Sequence, residues 1–140
     1  MGASRQPPRR RAPRPKERDK VTATNDVLDR HMATFGKQDM AGLMTDYAPD
    51  AVMFTPNGPV RGTEALRKGF EQLFAEWGKP GVTFTLKQRI VDGKNAYIFW
   101  DAETADNVYE GAMDAFVVEE GKISAHFFSG KITPKAPPQR

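Results

Sequence analysis

The chain reads as an α+β domain in which three helices lie against one face of a curved antiparallel sheet. Two observations predict it. As far as Trp77, apolar residues recur at helical spacing, and from Val82 onward the period changes to two. Helices therefore come first and strands afterwards, the order of an α+β domain rather than of alternating strand–helix units.

The bulk composition agrees. A chain of 140 residues has room for one domain with a real core. Hydrophobic residues make up 39% and charged ones 28%, the balance of a soluble globular protein. No apolar run approaches the roughly 20 residues that span a bilayer. There is no cysteine, which excludes disulfides, thiolate metal sites and a cysteine nucleophile and fits a reducing, cytoplasmic setting. Two histidines do not make a multi-histidine metal centre, and no metal or other cofactor is expected.

Residues 1–20 are read as a disordered basic tail. They hold eight Lys and Arg, from Arg5 to Lys20, against Glu17 and Asp19, a charge of +6 that leaves −3 for the rest. Pro7, Pro8, Pro13 and Pro15 oppose an amphipathic presequence helix, and no apolar stretch marks a signal peptide. With no aromatic to stack on bases, the segment is read as solvated rather than as a nucleic-acid arm. The folded domain is placed at residues 21–133, with 134–140 a flexible end.

Thr24 to Phe35 reads as the first helix, with Val27, Leu28, His31, Met32 and Phe35 on one stripe and Gly36 at its end. His31 lies inside that stripe, either offered to a pocket or bonded to a carbonyl at its edge. Asp39 can cap a second helix, Met40–Tyr47, with Met40, Leu43, Met44 and Tyr47 inward and Pro49 as its stop. A short strand over Ala51–Thr55 and a turn at Pro56-Asn57-Gly58-Pro59 follow. Thr63 suits the N-cap of the third helix, whose Leu66, Phe70, Leu73, Phe74 and Trp77 form one stripe over the sheet. Gly78 and Pro80 stop it.

In the strand region, Val82, Phe84, Leu86 and Ile90 alternate with Thr83, Thr85, Lys87 and Arg89. Asp92-Gly93 turns the chain, Ala96–Thr104 returns, and Asp106-Asn107 turns it again. Asn107–Lys131 then forms two strands joined at Glu120-Gly121. In the first of these, Ala112, Asp114, Phe116 and Val118 share one face, and Gly111, Met113, Ala115 and Val117 the other. Both faces are largely apolar, so both are expected to be covered. Asp114 is thus a carboxylate aimed into a covered region. His126, alternating with Ser124 and Phe128, is its counterpart on the next strand. Trp100 joins them if it opposes Ala112, whereas a slip of one residue presents Asp101 and Glu103 instead.

Helix, helix, short strand, helix and four meandering strands is the order of the nuclear transport factor 2-like superfamily. Leu28–Asp39 resembles its first helix and turn. Tyr47-Ala-Pro-Asp-Ala-Val-Met-Phe-Thr-Pro followed by Gly62 resembles the run into the third helix, and Phe116-Val-Val-Glu-Glu-Gly-Lys-Ile the penultimate hairpin. Over residues 22–133 the chain looks closest to the SnoaL-like and ketosteroid-isomerase-like branches. The resemblance implies a cone-shaped, cystatin-like α+β roll. Three helices pack on the concave face of the sheet around an apolar pocket, and the outer face makes a dimer. In isomerase relatives the first helix presents a tyrosine that donates to the developing oxyanion, and His31 holds that position here. The penultimate strand presents a protonated aspartic acid as second donor, matched by Asp114. The aspartate base of the first strand is replaced by Thr55, whose hydroxyl is no general base near neutral pH.

The leading functional expectation is a small-molecule pocket for acid–base chemistry, isomerisation or aldol-type cyclisation, on an apolar carbonyl compound. His31 and Asp114 are its expected catalytic residues. Tyr47, Thr55, Phe70, Phe74, Trp100, Phe116, His126 and Phe128 are expected around them. The alternatives are a ligand-binding or dimerisation domain of the same fold without turnover, and an interaction protein whose basic tail contacts nucleic acid. A small apolar molecule and a second copy of the chain are the expected partners, with no membrane.

Overall fold

The computed structural model describes residues 15–136. Its elements are α1 (Pro15–Gly36), α2 (Met40–Thr45), β1 (Tyr47–Thr55), β2 (Gly58–Arg61), α3 (Thr63–Trp77), β3 (Thr83–Asp92), β4 (Asn95–Glu103), β5 (Asn107–Glu119) and β6 (Lys122–Pro134). The strands form one six-stranded sheet in the order β2-β1-β6-β5-β4-β3. Every pairing is antiparallel except β1 with β6, which is parallel. The three helices bury their apolar stripes on one face of this open, curved sheet. The α+β domain expected from the period change, helices on one face of a curved sheet, is the observed fold, with the β1–β6 pairing parallel rather than antiparallel.

Several boundaries differ from the sequence reading, each for a local reason. Helix α1 starts at Pro15, inside the stretch assigned to the tail. A proline suits the first helical position, where its missing N–H would have no partner anyway. The part of the expected tail before residue 15 lies outside the described residues. Helix α2 ends at Thr45 rather than Tyr47, because Tyr47 pairs with Ile123 of β6 and opens β1. Pro49 therefore sits within a strand instead of closing a helix. The expected turn is tighter than read: Thr55 pairs with Gly58, and Pro59 falls in the additional strand β2. Gly62, at φ 84°, is the N-cap of α3 in place of Thr63, a left-handed backbone that a β-branched residue resists.

Three β-bulges decide which side chains reach the helices. Near the β4–β5 turn, Ala102 pairs with Tyr109, but farther along Trp100 pairs with Ala112. The extra residue falls beside Gly111, at φ 58°, and the Asp101 carboxylate accepts its backbone N–H at 2.8 Å. Tyr109 and Ala112, three apart, can then both point inward, at 4% and 0% exposure. Trp100 opposes Ala112 as in the first of the two registers, and Asp101 and Glu103 do not join the helix-facing side. A second bulge near Lys87 splits the β3 alternation. Leu86 pairs with the inward Trp100, but Ile90 pairs with Tyr97 on the outer face. A third, near Ser124, lets Ile123 and His126 both turn inward, at 1% and 2% exposure.

Candidate active site

The helix-facing side of β5 and β6 carries a continuous chain of polar groups. Asp46 fixes its beginning. The Asp46 carbonyl accepts the Ile123 N–H at 2.7 Å, and its carboxylate accepts Arg30 Nε–H from α1 at 2.9 Å. Tyr47, the next residue, is thereby set against β6, with its hydroxyl 2.9 Å from His126 Nδ1. His126 Nε2 lies 2.7 Å from Asp114 Oδ1, and Trp100 Nε1–H donates to Asp114 Oδ2 at 2.8 Å. The strand register explains the reach. Asp114 pairs with Phe128 and Phe116 with His126, so Asp114 and His126 are diagonal neighbours on one face.

The proton positions follow from donor and acceptor capacity. The Trp100 indole can only donate, so Oδ2 accepts. Tyr47 is buried and His126 Nδ1 is its hydroxyl's hydrogen-bond partner, so the Tyr47 O–H donates to Nδ1. The ring proton of His126 then sits on Nε2 and is donated to Asp114 Oδ1. Asp114 accepts two hydrogen bonds as a carboxylate. The protonated, donating acid that the resemblance implies at this position corresponds to the other tautomer of His126. The charge that burial disfavours is held here by two donors. Burial raises the Tyr47 hydroxyl well above its usual range, with the Asp114 and Asp46 charges adding to it, so the phenol stays protonated.

His31 completes the cluster without bonding to it. Its ring meets Phe116 edge-on at 5.1 Å, His126 at 5.7 Å and Tyr47 at 6.0 Å, and its Nδ1 is buried with no hydrogen-bond partner. Its pKa is lowered to about 3, chiefly by burial and then by His126, with Asp114 opposing. At neutral pH it is an uncharged imidazole. His31 makes no hydrogen bond to Asp114, and His126 stands between them, 5.7 Å from the His31 ring and bonded to Asp114.

The other expected residues sort by position. Phe70 packs on Tyr47 at 5.6 Å, and Phe116 lies 4.3 Å from the His126 ring. Phe128 lies 6.3 Å from Trp100. Phe74 is one layer away, on Phe35 at 5.4 Å. Thr55 does not join them. Its hydroxyl donates to the Gly58 carbonyl and accepts the Asn57 N–H, which holds it in the β1–β2 turn. Met53, not Thr55, pairs with His126. The expected apolar pocket around His31 is filled by these side chains, with Tyr47, Phe116 and His126 each less than 5% exposed. Two surface depressions lie elsewhere, one between α2 and α3 beside Thr45 and Arg67, another beside Lys20 and Gly121.

Sequence reasoning missed a second polar cluster. Glu76 Oε2 accepts the Tyr109 hydroxyl and the Thr104 hydroxyl, each at 2.6 Å. Burial, then the Glu76 contact, pushes the Tyr109 hydroxyl upward. Glu76 precedes Trp77, which touches both Tyr109 at 5.2 Å and Trp100 at 5.7 Å. No local pattern announces this cluster, because its members come from α3, the end of β4 and the start of β5. The part played by Tyr47 was nearer to hand, since a tyrosine in an apolar run needs a partner for its hydroxyl. Among the described residues no group of three or more His, Cys, Asp or Glu is placed to hold a metal ion, and no helix is long and apolar enough to cross a membrane.

A curved sheet with helices on one side and a polar chain between them defines the nuclear transport factor 2-like class of α+β rolls. The chain belongs to the SnoaL-like domain family, which matches residues 28–126. A search of curated proteins finds no match. Among solved structures, a nuclear transport factor 2-like protein of unknown function from Mesorhizobium loti is similar, with 24% identity and a TM-score of 0.68 over 81% of this chain and 94% of that one. A candidate ketosteroid isomerase from Kribbella flavida has 16% identity and a TM-score of 0.66, covering 85% of each chain. A candidate polyketide cyclase from Sinorhizobium meliloti has 16% identity and a TM-score of 0.62, over 74% of this chain and 94% of that one. At such identities the likeness is one of fold.

Proposed function

We propose that the chain is a small-molecule protein that performs acid–base chemistry, isomerisation or aldol-type cyclisation, on an apolar carbonyl compound. The observation that carries the reading is the hydrogen-bonded run Tyr47–His126–Asp114–Trp100 on the helix-covered face. With Thr55 tied into a turn, the base moves to Asp114. It is the member of that run with the more open side chain, 13% exposed against 3% for His126. In the proposed step Asp114 takes a proton from the carbon next to the carbonyl. The C–H electron pair becomes the enol double bond, the carbonyl π pair moves onto oxygen, and that oxygen takes its proton from solvent water. His126 holds the Asp114 carboxylate in place and is itself oriented by Tyr47. His31, a neutral imidazole with an unpartnered ring nitrogen beside the His126 ring, is proposed as hydrogen-bond donor to that oxygen. Relatives described as a ketosteroid isomerase and a polyketide cyclase candidate support this class of chemistry by fold alone.

We further propose a dimer through the outer face of the sheet. Phe54 and Phe127 stack there at 5.0 Å while still 40% and 37% exposed, and Ile90 is 49% exposed.

Exchange of the α-protons of 2-tetralone for deuterium, followed by NMR, tests the chemistry. Wild type is expected to accelerate exchange over buffer, and Asp114→Ala to lose that acceleration by about a hundredfold or more. A protein that binds 2-tetralone without accelerating exchange is a binding domain of the same fold.

A further inference from the structure

Glu76 is a partly buried acid that takes no part in the proposed step. Its Oε2 accepts two hydroxyls at 2.6 Å, from Tyr109 and from Thr104, both buried. The Thr104 proton points to Glu76, and the Thr104 oxygen in turn accepts the Asp106 and Asn107 N–H groups at 3.2 and 3.0 Å. One carboxylate oxygen on α3 therefore fixes both the β4–β5 turn and the Tyr109 ring of β5.

What these bonds hold in place is Trp100. The Trp100 indole N–H donates to Asp114 Oδ2 at 2.8 Å and is one of the two donors that hold that carboxylate. An indole has a single polar atom, so apart from that bond its orientation is set by packing. Four rings supply the packing. Phe84 lies at 5.4 Å, Tyr109 at 5.6 Å, Trp77 edge-on at 5.7 Å and Phe128 at 6.3 Å. Phe84 is 44% exposed on the edge strand β3 and is the loosest of the four. Trp77 and Tyr109 touch each other at 5.2 Å, and both are tied to Glu76. Trp77 follows it in α3, and Tyr109 is bonded to it. A hydrogen bond fades steeply once its angle is lost, so a small tilt of the indole is enough to release Oδ2. Lys79 and Asp106, paired at 2.9 Å, join the same two segments only at the surface.

We infer that Glu76 is a positioning residue for the base: by accepting the Tyr109 and Thr104 hydroxyls it keeps Tyr109 and Trp77 against Trp100, and so keeps the Trp100 N–H aimed at Asp114 Oδ2. The inference rests on the proposed acid–base reading, in which Asp114 takes the proton, and adds a residue that acts on Asp114 only through others. The role asks for an acceptor rather than a charge, because both groups that Glu76 bonds are neutral hydroxyls.

Proton–nitrogen NMR of the full chain reads the Trp100 side chain directly. The chain has two tryptophans, and Trp100→Phe identifies the indole signal to follow. Glu76→Ala is expected to speed solvent exchange of the Trp100 indole N–H about tenfold or more, the effect of losing roughly one hydrogen bond that orders it. In the deuterium exchange of 2-tetralone the same variant is expected to lower kcat about tenfold with KM within about twofold, as for a group that acts in the transition state rather than in binding. Glu76→Gln keeps an oxygen with two lone pairs and is expected to stay within about threefold of wild type in both readouts. Lys79→Ala cuts the exposed tie between the same segments and is expected to move neither.

The inference is overturned if Glu76→Ala leaves the Trp100 N–H exchanging as in wild type, or speeds it while kcat stays unmoved. It is also overturned if Glu76→Gln is as impaired as Glu76→Ala, or if Lys79→Ala matches Glu76→Ala. Where Glu76→Ala does not fold, Tyr109→Phe decides, since it keeps the ring and removes one hydroxyl. It is expected to speed exchange of the Trp100 N–H about threefold, and an unmoved rate overturns the inference. Wild type that leaves 2-tetralone at the buffer rate, with the Trp100 signal still answering to Glu76→Ala, overturns the acid–base reading and not the hold of Glu76 on Trp100.

Discussion

The two ends of the helix-covered face differ in how they are closed. At one end His31, Tyr47, Phe70, Phe116 and His126 are packed ring against ring, and hydrogen bonds satisfy Tyr47 and both nitrogens of His126. At the other, Phe84 and Leu86 point the same way but lie open, because the helices that cover the first end do not extend over the beginning of β3. Asp114 sits where the two meet. It is bonded on the closed side and reachable from the open side. The difference teaches that alternation decides which side a residue faces, whereas helix placement decides whether that side is dry.

The largest expected effect breaks this contrast directly. Phe116→Ala removes a ring that is 2% exposed and packs on both His31 and His126, and is expected to cost about 3–5 kcal/mol in denaturant unfolding. Phe84→Ala at 44% exposure is expected to cost less than about 1 kcal/mol. Equal costs would mean that the two ends are closed alike.

A second effect comes from pH. His31 titrates at about 3 in the folded protein, against roughly 6.5 in an unfolded chain. Above the unfolded value both states are neutral and the group is silent. As pH falls from about 6.5 to about 3 the unfolded chain takes up a proton that the folded protein refuses, so stability falls by at most about 1.4 kcal/mol per pH unit in that window. His31→Phe, which keeps an aromatic ring among Phe116, Phe70 and Tyr47, is expected to flatten this slope. An unchanged slope would place the acid sensitivity elsewhere.

A smaller effect separates the polar chain from its apolar surroundings. Tyr47→Phe keeps the ring packed on Phe70 but leaves His126 Nδ1 buried without a donor, at an expected cost of about 1–3 kcal/mol. In the double variant with His126→Phe, which removes that orphan but also takes a donor from Asp114, the total cost is expected to be less than the sum of the two single costs. Purely additive costs would show that the Tyr47–His126 bond contributes nothing.

Much of the fold was legible because periodicity is a local property. The stripe from Leu66 to Trp77 and the alternation around Asp114 both give the observed inward faces. The gathering of His31, Asp114, His126 and Trp100 followed from the same faces. What the sequence did not show came from outside any one element. Thr55 looked available because nothing nearby reveals that its hydroxyl closes the β1–β2 turn. Ile90 looked like a companion of Leu86 because the bulge at Lys87 is not written in the alternation. Tyr47 looked like the end of a helix because its pairing with Ile123 spans most of the domain. The Glu76 cluster joins three distant elements through side-chain contacts alone.

The central claim is that Asp114 is a charged acceptor held by His126 and Trp100, and so a base rather than a donor. Long-range nitrogen–proton NMR of the His126 ring at neutral pH tests it most directly. The expected spectrum shows the proton on Nε2 and a bare, hydrogen-bonded Nδ1 that loses its Tyr47 donor in Tyr47→Phe. A ring protonated on Nδ1 and bare on Nε2 would put the shared proton on Asp114, making it a donating acid and contradicting the assignment.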